Sequence, residues 1–190
     1  MNENLNTKVV TGKVRMSYVH VWEPAAISEG GDKKYSVSLI IPKSDTKTLG
    51  AIKAAIDNAL KAGVGKFGGK VPAVYKNPLR DGDAERPDDE AYAGAFFLNA
   101  NCKTKPGVVN AMRKPIENED EFYSGCYGYA SITFYAFNTN GNKGIACGLN
   151  NLMKIADGEP LGGRSTAESD FADIEVPFEA PTGDDGDGLF

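Results

Sequence analysis

Residues 125–138 read GCYGYASITFYAFN, and their split by parity decides the fold. Side chains alternate across a β-strand, so every second residue shares a face. Ala130, Ile132, Phe134 and Ala136 make an apolar face that belongs in a core. Tyr127, Tyr129, Ser131, Thr133, Tyr135 and Phe137 make the other face, a row of flat rings and hydroxyls. So dense a run of β-branched and aromatic residues predicts a strand, the strongest in the chain.

Working outward, the glycine turn NTNGNKG (138–144) leads to a last strand beginning at Ile145. Upstream, AFFLNANC (95–102) and KYSVSLII (34–41) are further strands, and KVVTGKVRMSYVHVW (8–22) reads as one long strand. In the 34–41 segment Tyr35, Val37, Leu39 and Ile41 share one face, while Lys34, Ser36 and Ser38 share the other. Pro42, which has no N–H to donate, ends it. Leu49, Ile52, Ile56 and Leu60 then recur at helical spacing, behind a Ser44 cap and with Asp45 at the positive end of the helix dipole. Gly63 and Gly65 stop that helix near Ala62. PLRDGDAERPDDE (78–90) is rich in turn formers and reads as loop. About five strands, one or two helices and long connections predict a mainly β chain of the α+β class, a small barrel or sandwich with a helix attached.

The formal net charge is −5, but it is unevenly spread. The last basic residue is Arg164, and residues 165–190 hold eight carboxylates, Asp184, Asp185 and Asp187 among them. The preceding body has 21 basic against 18 acidic residues, a surplus of three. This predicts a domain over 1–164 that is mildly cationic, and a flexible acidic tail over 165–190 that ends on Leu189 and Phe190. Cys102, Cys126 and Cys147 are odd in number, far apart and without a C-x-x-C pair, which argues against a disulfide framework and a zinc site and fits a reducing cytosol. The start, MNENLNTK, lacks the build of a signal peptide, and no apolar run approaches the ~20 residues that span a bilayer. The expectation is a soluble intracellular protein with no membrane partner.

An outward row of rings on a strand is the form a stacking platform for nucleobases takes, each stacked base being worth ~1–3 kcal/mol whatever its identity. The same tyrosines also suit an ordinary strand packed beneath a loop. The first strand adds Lys13 and Arg15 on one face and Tyr18, His20 and Trp22 on the other, unless a bulge changes the phase. Lysine and arginine would neutralise phosphates while rings hold bases. With His20 the only histidine, a catalytic triad or a histidine-based metal site has almost no material. The carboxylates of 81–90 raise a metal-dependent nuclease as the alternative, but D-G-D is not a spaced calcium loop, and an Asp-Gly turn held by Pro78 and Arg80 is the simpler reading. GVGKFGGK (63–70) follows the helix and lacks G-K-[ST], so it is no phosphate-binding P-loop.

KVRMSYVHVWEP (13–24), KYSVSLIIPKSD (34–45), NPLRDGD (77–83), EFYSGCYGYASITFYAFN (121–138) and GNKGIACGLNNLMKIADGEPLGG (141–163), in this order, resemble a family of bacteriophage single-stranded-DNA-binding proteins once known only as a domain of unknown function. The resemblance implies an OB-fold-like five-stranded barrel with long loops, acting without catalysis or cofactor in phage DNA replication, recombination or repair in the cytoplasm of the infected host. Such proteins often end in an acidic segment closed by a phenylalanine, the place held here by Asp184, Asp185, Asp187, Leu189 and Phe190.

On this reading Tyr127, Tyr129, Tyr135 and Phe137, with Tyr18 and Trp22, stack bases. Lys13, Arg15, Lys34 and Arg80 contact phosphates, and no metal or cofactor is required. The tail competes with DNA for the cationic body and presents Phe190 to phage or host replication proteins; the reading also allows self-association. At ~3.3 Å per residue a tail of this length reaches across a small domain.

Overall fold

The computed structural model describes residues 5–26, 29–161 and 171–175. Its elements are β1 (Lys8–Val10), β2 (Val14–Ala26), β3 (Lys33–Pro42), α1 (Thr46–Ala62), β4 (Arg80–Asp81), α2 (Gly82–Glu85), β5 (Ala95–Cys102), β6 (Gly107–Val109), β7 (Tyr127–Thr139) and β8 (Asn142–Ala156), with 3-10 turns at Val64–Phe67, Glu90–Tyr92 and Glu119–Glu121. The tail positions Asp184, Asp185, Asp187, Leu189 and Phe190 lie outside the described residues.

Five of the strands pair into a ring, β7–β2–β3–β5–β8 and back to β7. Every contact in it is antiparallel except β5–β8, which is parallel and reduced to the pair Asn101↔Gly148. This is the connectivity of a partly open OB-type barrel. The expected count of five holds for the ring; the further strands are short additions, β1 on β7, β6 on β8 and β4 on β5.

The ring closes around the apolar parity set of each strand. Val14, Met16, Leu39, Leu98, Ile132, Phe134 and Leu152 are all 1% exposed or less. Full burial of such side chains is worth about 1.5–3 kcal/mol each, which selects this register over any one-residue slip. Helix α1 adds Leu49, Ile52, Ala55, Ile56, Ala59 and Leu60 to the same core. Its end lies so close to β7 that a Cβ on Gly63 would sit 2.2 Å from the Ala136 Cβ.

Several local expectations are corrected. The segment 8–22 is not one strand: it breaks at Gly12, where the Gly12 amide donates to Thr48 Oγ1 at 2.9 Å and a Cβ would crowd Asp45 and Thr48. Both halves still pair with β7, β1 along Ser131–Thr133 and β2 along Tyr127–Gly128. Asp45, not Ser44, caps α1, accepting the Thr48 amide at 3.1 Å. The stretch 78–90 contains β4 and α2 as well as loop, because Asp81 caps α2 through the Asp83 amide. Strand β8 starts at Asn142, earlier than Ile145, because Asn140 (φ 52°) and Gly141 (φ 86°) form a tight two-residue hairpin turn. Ser38, on the polar parity of β3, is buried. A second small core of Ile40, Tyr92, Ala95 and Phe97 covers that end of β3, and the Tyr92 hydroxyl donates to Ser38 Oγ at 3.0 Å.

All three cysteines are free thiols. Cys126 and Cys147 are buried and Cys102 half-buried, and burial pushes all three thiols up. Alkylation of the native protein should therefore modify Cys102 slowly and leave Cys126 and Cys147 intact until denaturant is added. Peptide mass spectrometry reads this directly, and rapid native labelling of Cys147 would contradict the packing.

Candidate nucleic-acid interface

One transverse row crosses the whole ring: Thr133, Gly148, Asn101, Ser36 and His20 are successive cross-strand partners from β7 through β8, β5 and β3 to β2. Their chain neighbours Ile132, Leu149, Ala100, Val37 and Val21 are buried, so the row itself faces out. It is polar and small-sided. Further along β7, Tyr135 pairs with Ala146 and Phe137 with Gly144. Glycine and alanine under these rings make a flat floor: a Cβ on Gly148 would lie 3.5 Å from Tyr135 Cε1, and one on Gly144 would lie 3.0 Å from Phe137 Cε1.

Beside this floor, the segment from Lys76 to Arg80 makes a wall. The Lys76 amide donates to the Lys143 carbonyl at 2.9 Å, and the Ile145 amide donates to the Lys76 carbonyl at 3.0 Å. Between wall and floor runs a groove of about 490 Å³ lined by Lys76, Arg80, Asn99, Asn101 and Phe137. It sits at the thin seam where β5 and β8 touch through the single pair Asn101↔Gly148.

The residues singled out in the sequence are distributed unequally. Phe137 and Arg80 line the groove, Tyr135 is the cross-strand partner of Ala146 in its lining, and Lys34 lies on the same outward parity of β3 as Ser36. Tyr18 is exposed at a φ of 45°, where a register shift between Ser17 and His20 interrupts β2. Tyr129 is exposed too, but pairs with Met153, well along β7 from the groove. Lys13, Arg15 and Tyr127 form a cluster of their own. Lys13 Nζ and the Arg15 guanidinium lie 4.9 and 5.5 Å from the Tyr127 ring centre. Arg15 also donates to the carbonyls of Gly125 at 3.1 Å and Glu159 at 2.7 Å, which anchors the chain leaving β8. Trp22 packs half-buried on the main core and donates its ring N–H to the Phe122 carbonyl at 3.0 Å.

Arg86 is the residue the sequence reading missed. Its guanidinium lies 4.8 Å from both the Tyr92 and Phe97 ring centres and 5.3 Å from that of Tyr18. Nothing in D-A-E-R-P-D-D announces this; only the fold of 81–97 brings the rings to it.

Asp81, Asp83 and Glu85 of the acidic stretch have local partners. Lys43 Nζ bridges Asp81 at 2.9 Å and Asp83 at 2.8 Å, and holds both carboxyls below the usual carboxylate range. Folded-state values that are lowered stabilise the protein above the ordinary carboxylate pKa; this contribution is lost as pH falls through the lowered values. Asp83 also accepts the Gly94 amide at 2.9 Å, and Glu85 pairs with Arg80. Among the described residues no three histidine, cysteine or carboxylate groups converge as metal ligands would.

A ring of this connectivity with an outward floor of rings, amides and small residues is the architecture of OB-type oligonucleotide-binding proteins. Residues 7–181 match the model of the family described as Enterobacter phage Enc34, ssDNA-binding protein, and the chain belongs to that family. Protein p50 of Acyrthosiphon pisum secondary endosymbiont phage 1 is 33% identical over 183 residues, spanning 90% of this chain and 96% of the relative. Among solved structures, the single-stranded DNA-binding protein from bacteriophage Enc34 in complex with ssDNA superposes with a TM-score of 0.69 at 30% identity, covering 82% of this chain and 90% of that one. The bacteriophage T7 single-stranded DNA binding protein gp2.5 shares the fold, with a TM-score of 0.60 at 16% identity over 92% of this chain and 98% of that one.

Proposed function

We propose that this chain binds single-stranded DNA without reading its sequence, along the outward floor and groove of the β-ring, and does so non-enzymatically in phage DNA replication, recombination or repair. The observation that carries the reading is the polar row Thr133–Gly148–Asn101–Ser36–His20 continuing into Tyr135, Phe137 and a groove walled by Lys76 and Arg80. Rings on glycine and alanine give bases a surface to stack on, and the cations give phosphates a partner. Membership of a family whose Enc34 member is solved in complex with ssDNA supports it. The metal-dependent nuclease has no support: Asp81 and Asp83 are engaged by Lys43.

The proposal extends to residues 165–190. Their eight carboxylates act as an internal competitor for the cationic body, and Leu189–Phe190 are the hook for phage or host replication proteins in the infected cell. Titration of a labelled oligothymidine and of a duplex, from low to high salt, tests both parts. Affinity for the single strand should exceed that for the duplex and fall with salt, because the counterions released on binding gain less entropy when the bulk salt is higher. Deleting 167–190 should tighten binding, most at low salt. Salt-independent binding would remove the DNA reading, whereas unchanged affinity after the deletion would remove only the competitor role of the tail.

A further inference from the structure

Two guanidinium groups flank one ring. Arg80 lies 5.7 Å and Arg86 4.8 Å from the Phe97 ring centre. Phe97 is buried in the second core against Ile40 and Tyr92, so the ring is a fixed post for both. The two arginines differ in what holds them. Arg80 donates Nε to Glu85 Oε1 at 2.8 Å, with Nη2 2.6 Å from the same oxygen, and its charge is thereby neutralised. Arg86 has no carboxylate within ion-pair distance among the described residues. It is half-buried, held by three rings and by a 3.4 Å contact of Nη1 with the Tyr18 hydroxyl.

A half-buried cation loses part of its hydration, and ring quadrupoles replace that only in part. A guanidinium carries five N–H donors, and those of Arg86 make one hydrogen bond among the described residues, the 3.4 Å contact of Nη1 with Tyr18, which leaves donors for an anion. The other carboxylates near it are otherwise engaged or exposed. Asp81 and Asp83 are tied to Lys43, Asp89 accepts the Ala91 amide at 3.1 Å, and Asp88 and Glu90 have no ion pair among the described residues.

We infer that Arg86 and Arg80, mounted on Phe97, form a two-site phosphate clamp on the edge of the interface. Arg86 is the open site, and Glu85 is a latch that a backbone phosphate displaces from Arg80. The inference rests on the proposed DNA binding and adds a site to it. The phosphodiester is the ligand because the clamp offers charge and edge donors, while its rings are already occupied by guanidinium. Arg80 joins the clamp to the groove, whose lining it shares.

The latch makes two neighbouring substitutions act in opposite directions. Using the full chain and a labelled oligothymidine, Arg86→Gln should weaken binding about tenfold at low salt and make the slope of log K against log salt shallower by about 0.7, one phosphate contact on a single strand. Glu85→Gln should tighten binding and steepen the slope by a similar amount. Arg86→Lys should keep the salt slope and lose part of the affinity, because charge survives without the planar fork. Glu85 is a surface residue, so its variant also reports if Arg86→Gln fails to fold. An unchanged salt slope in a folded Arg86→Gln, or weaker binding by Glu85→Gln, overturns the clamp. If the wild type itself does not bind the oligonucleotide, the proposed function fails instead.

Discussion

Replacing Tyr135 and Phe137 together with alanine should weaken binding of a single-stranded oligonucleotide by about 2–4 kcal/mol, roughly 30- to 1,000-fold. Tyr135 is 45% exposed, and its ring lies over Gly148, where the transverse row crosses from β7 to β5. Phe137 lines the groove and is partly buried, so it adds less than a fully open ring. Each stacked base is worth ~1–3 kcal/mol, and the loss should be nearly independent of sequence because every base has a π-face. Tyr127 gives the contrast. Lys13 and Arg15 already lie against its ring, and Gly158 lies near enough that a Cβ there would be 2.8 Å from its Cε2. Tyr127→Ala should change affinity by less than about threefold, a surface-contact effect well below one stacked base. Fluorescence anisotropy on labelled oligothymidine measures both, and a Tyr127 effect as large as the double variant would move the platform to the other end of β7.

Gly128→Ala should destabilise the fold by about 3 kcal/mol, at the upper end of overpacking effects, and lower the melting temperature by roughly 6–12 °C. Gly128 stands where three strands meet: it pairs with Val14 of β2 and with Lys154 of β8. A Cβ there would be 2.0 Å from the Met153 carbonyl oxygen and 3.2 Å from the Lys154 Cα. Both are backbone atoms in a paired strand, so neither can swing away as a side-chain end could. The register of β7 against β8 is already shifted between Tyr127 and Gly128, which leaves little further play. Differential scanning calorimetry is the measurement, and a melting temperature within 2 °C of wild type would show that the ring opens there without strain. Gly65→Ala is the control, since a Cβ at Gly65 meets nothing within 4 Å.

Strand β7 was readable because its two faces differ so sharply. Ala130, Ile132, Phe134 and Ala136 are all buried, and the opposite parity is exposed or half-exposed along its length. Helix α1 was readable for the same reason, its apolar stripe being the face that packs. Strand β3 shows where periodicity stops helping. Its parity puts Lys34, Ser36 and Ser38 on one side, yet there Ser38 is buried and Ile40 joins a second core, because Tyr92 arrives from the turn Glu90–Tyr92. A period of two tells which residues share a side; it does not tell whether something distant covers that side.

Local alternation and helical spacing were enough to specify the ring's strands, the helix and a pair of aromatic residues that a ligand could meet. These are short-range properties, carried by each segment's own pattern of apolar and polar side chains. The groove, the cluster that occupies Arg15 and Tyr127, and the setting of Arg86 on Phe97 all depend on residues far apart in the chain meeting across the ring. Arg15 is charged in sequence and in fold alike, but only the fold brings the Gly125 and Glu159 carbonyls to two of its donors, and only the fold sets Arg86 among three rings. Whether a charge is free or engaged is a property of its surroundings, and chain closure assembles those surroundings only in the folded state.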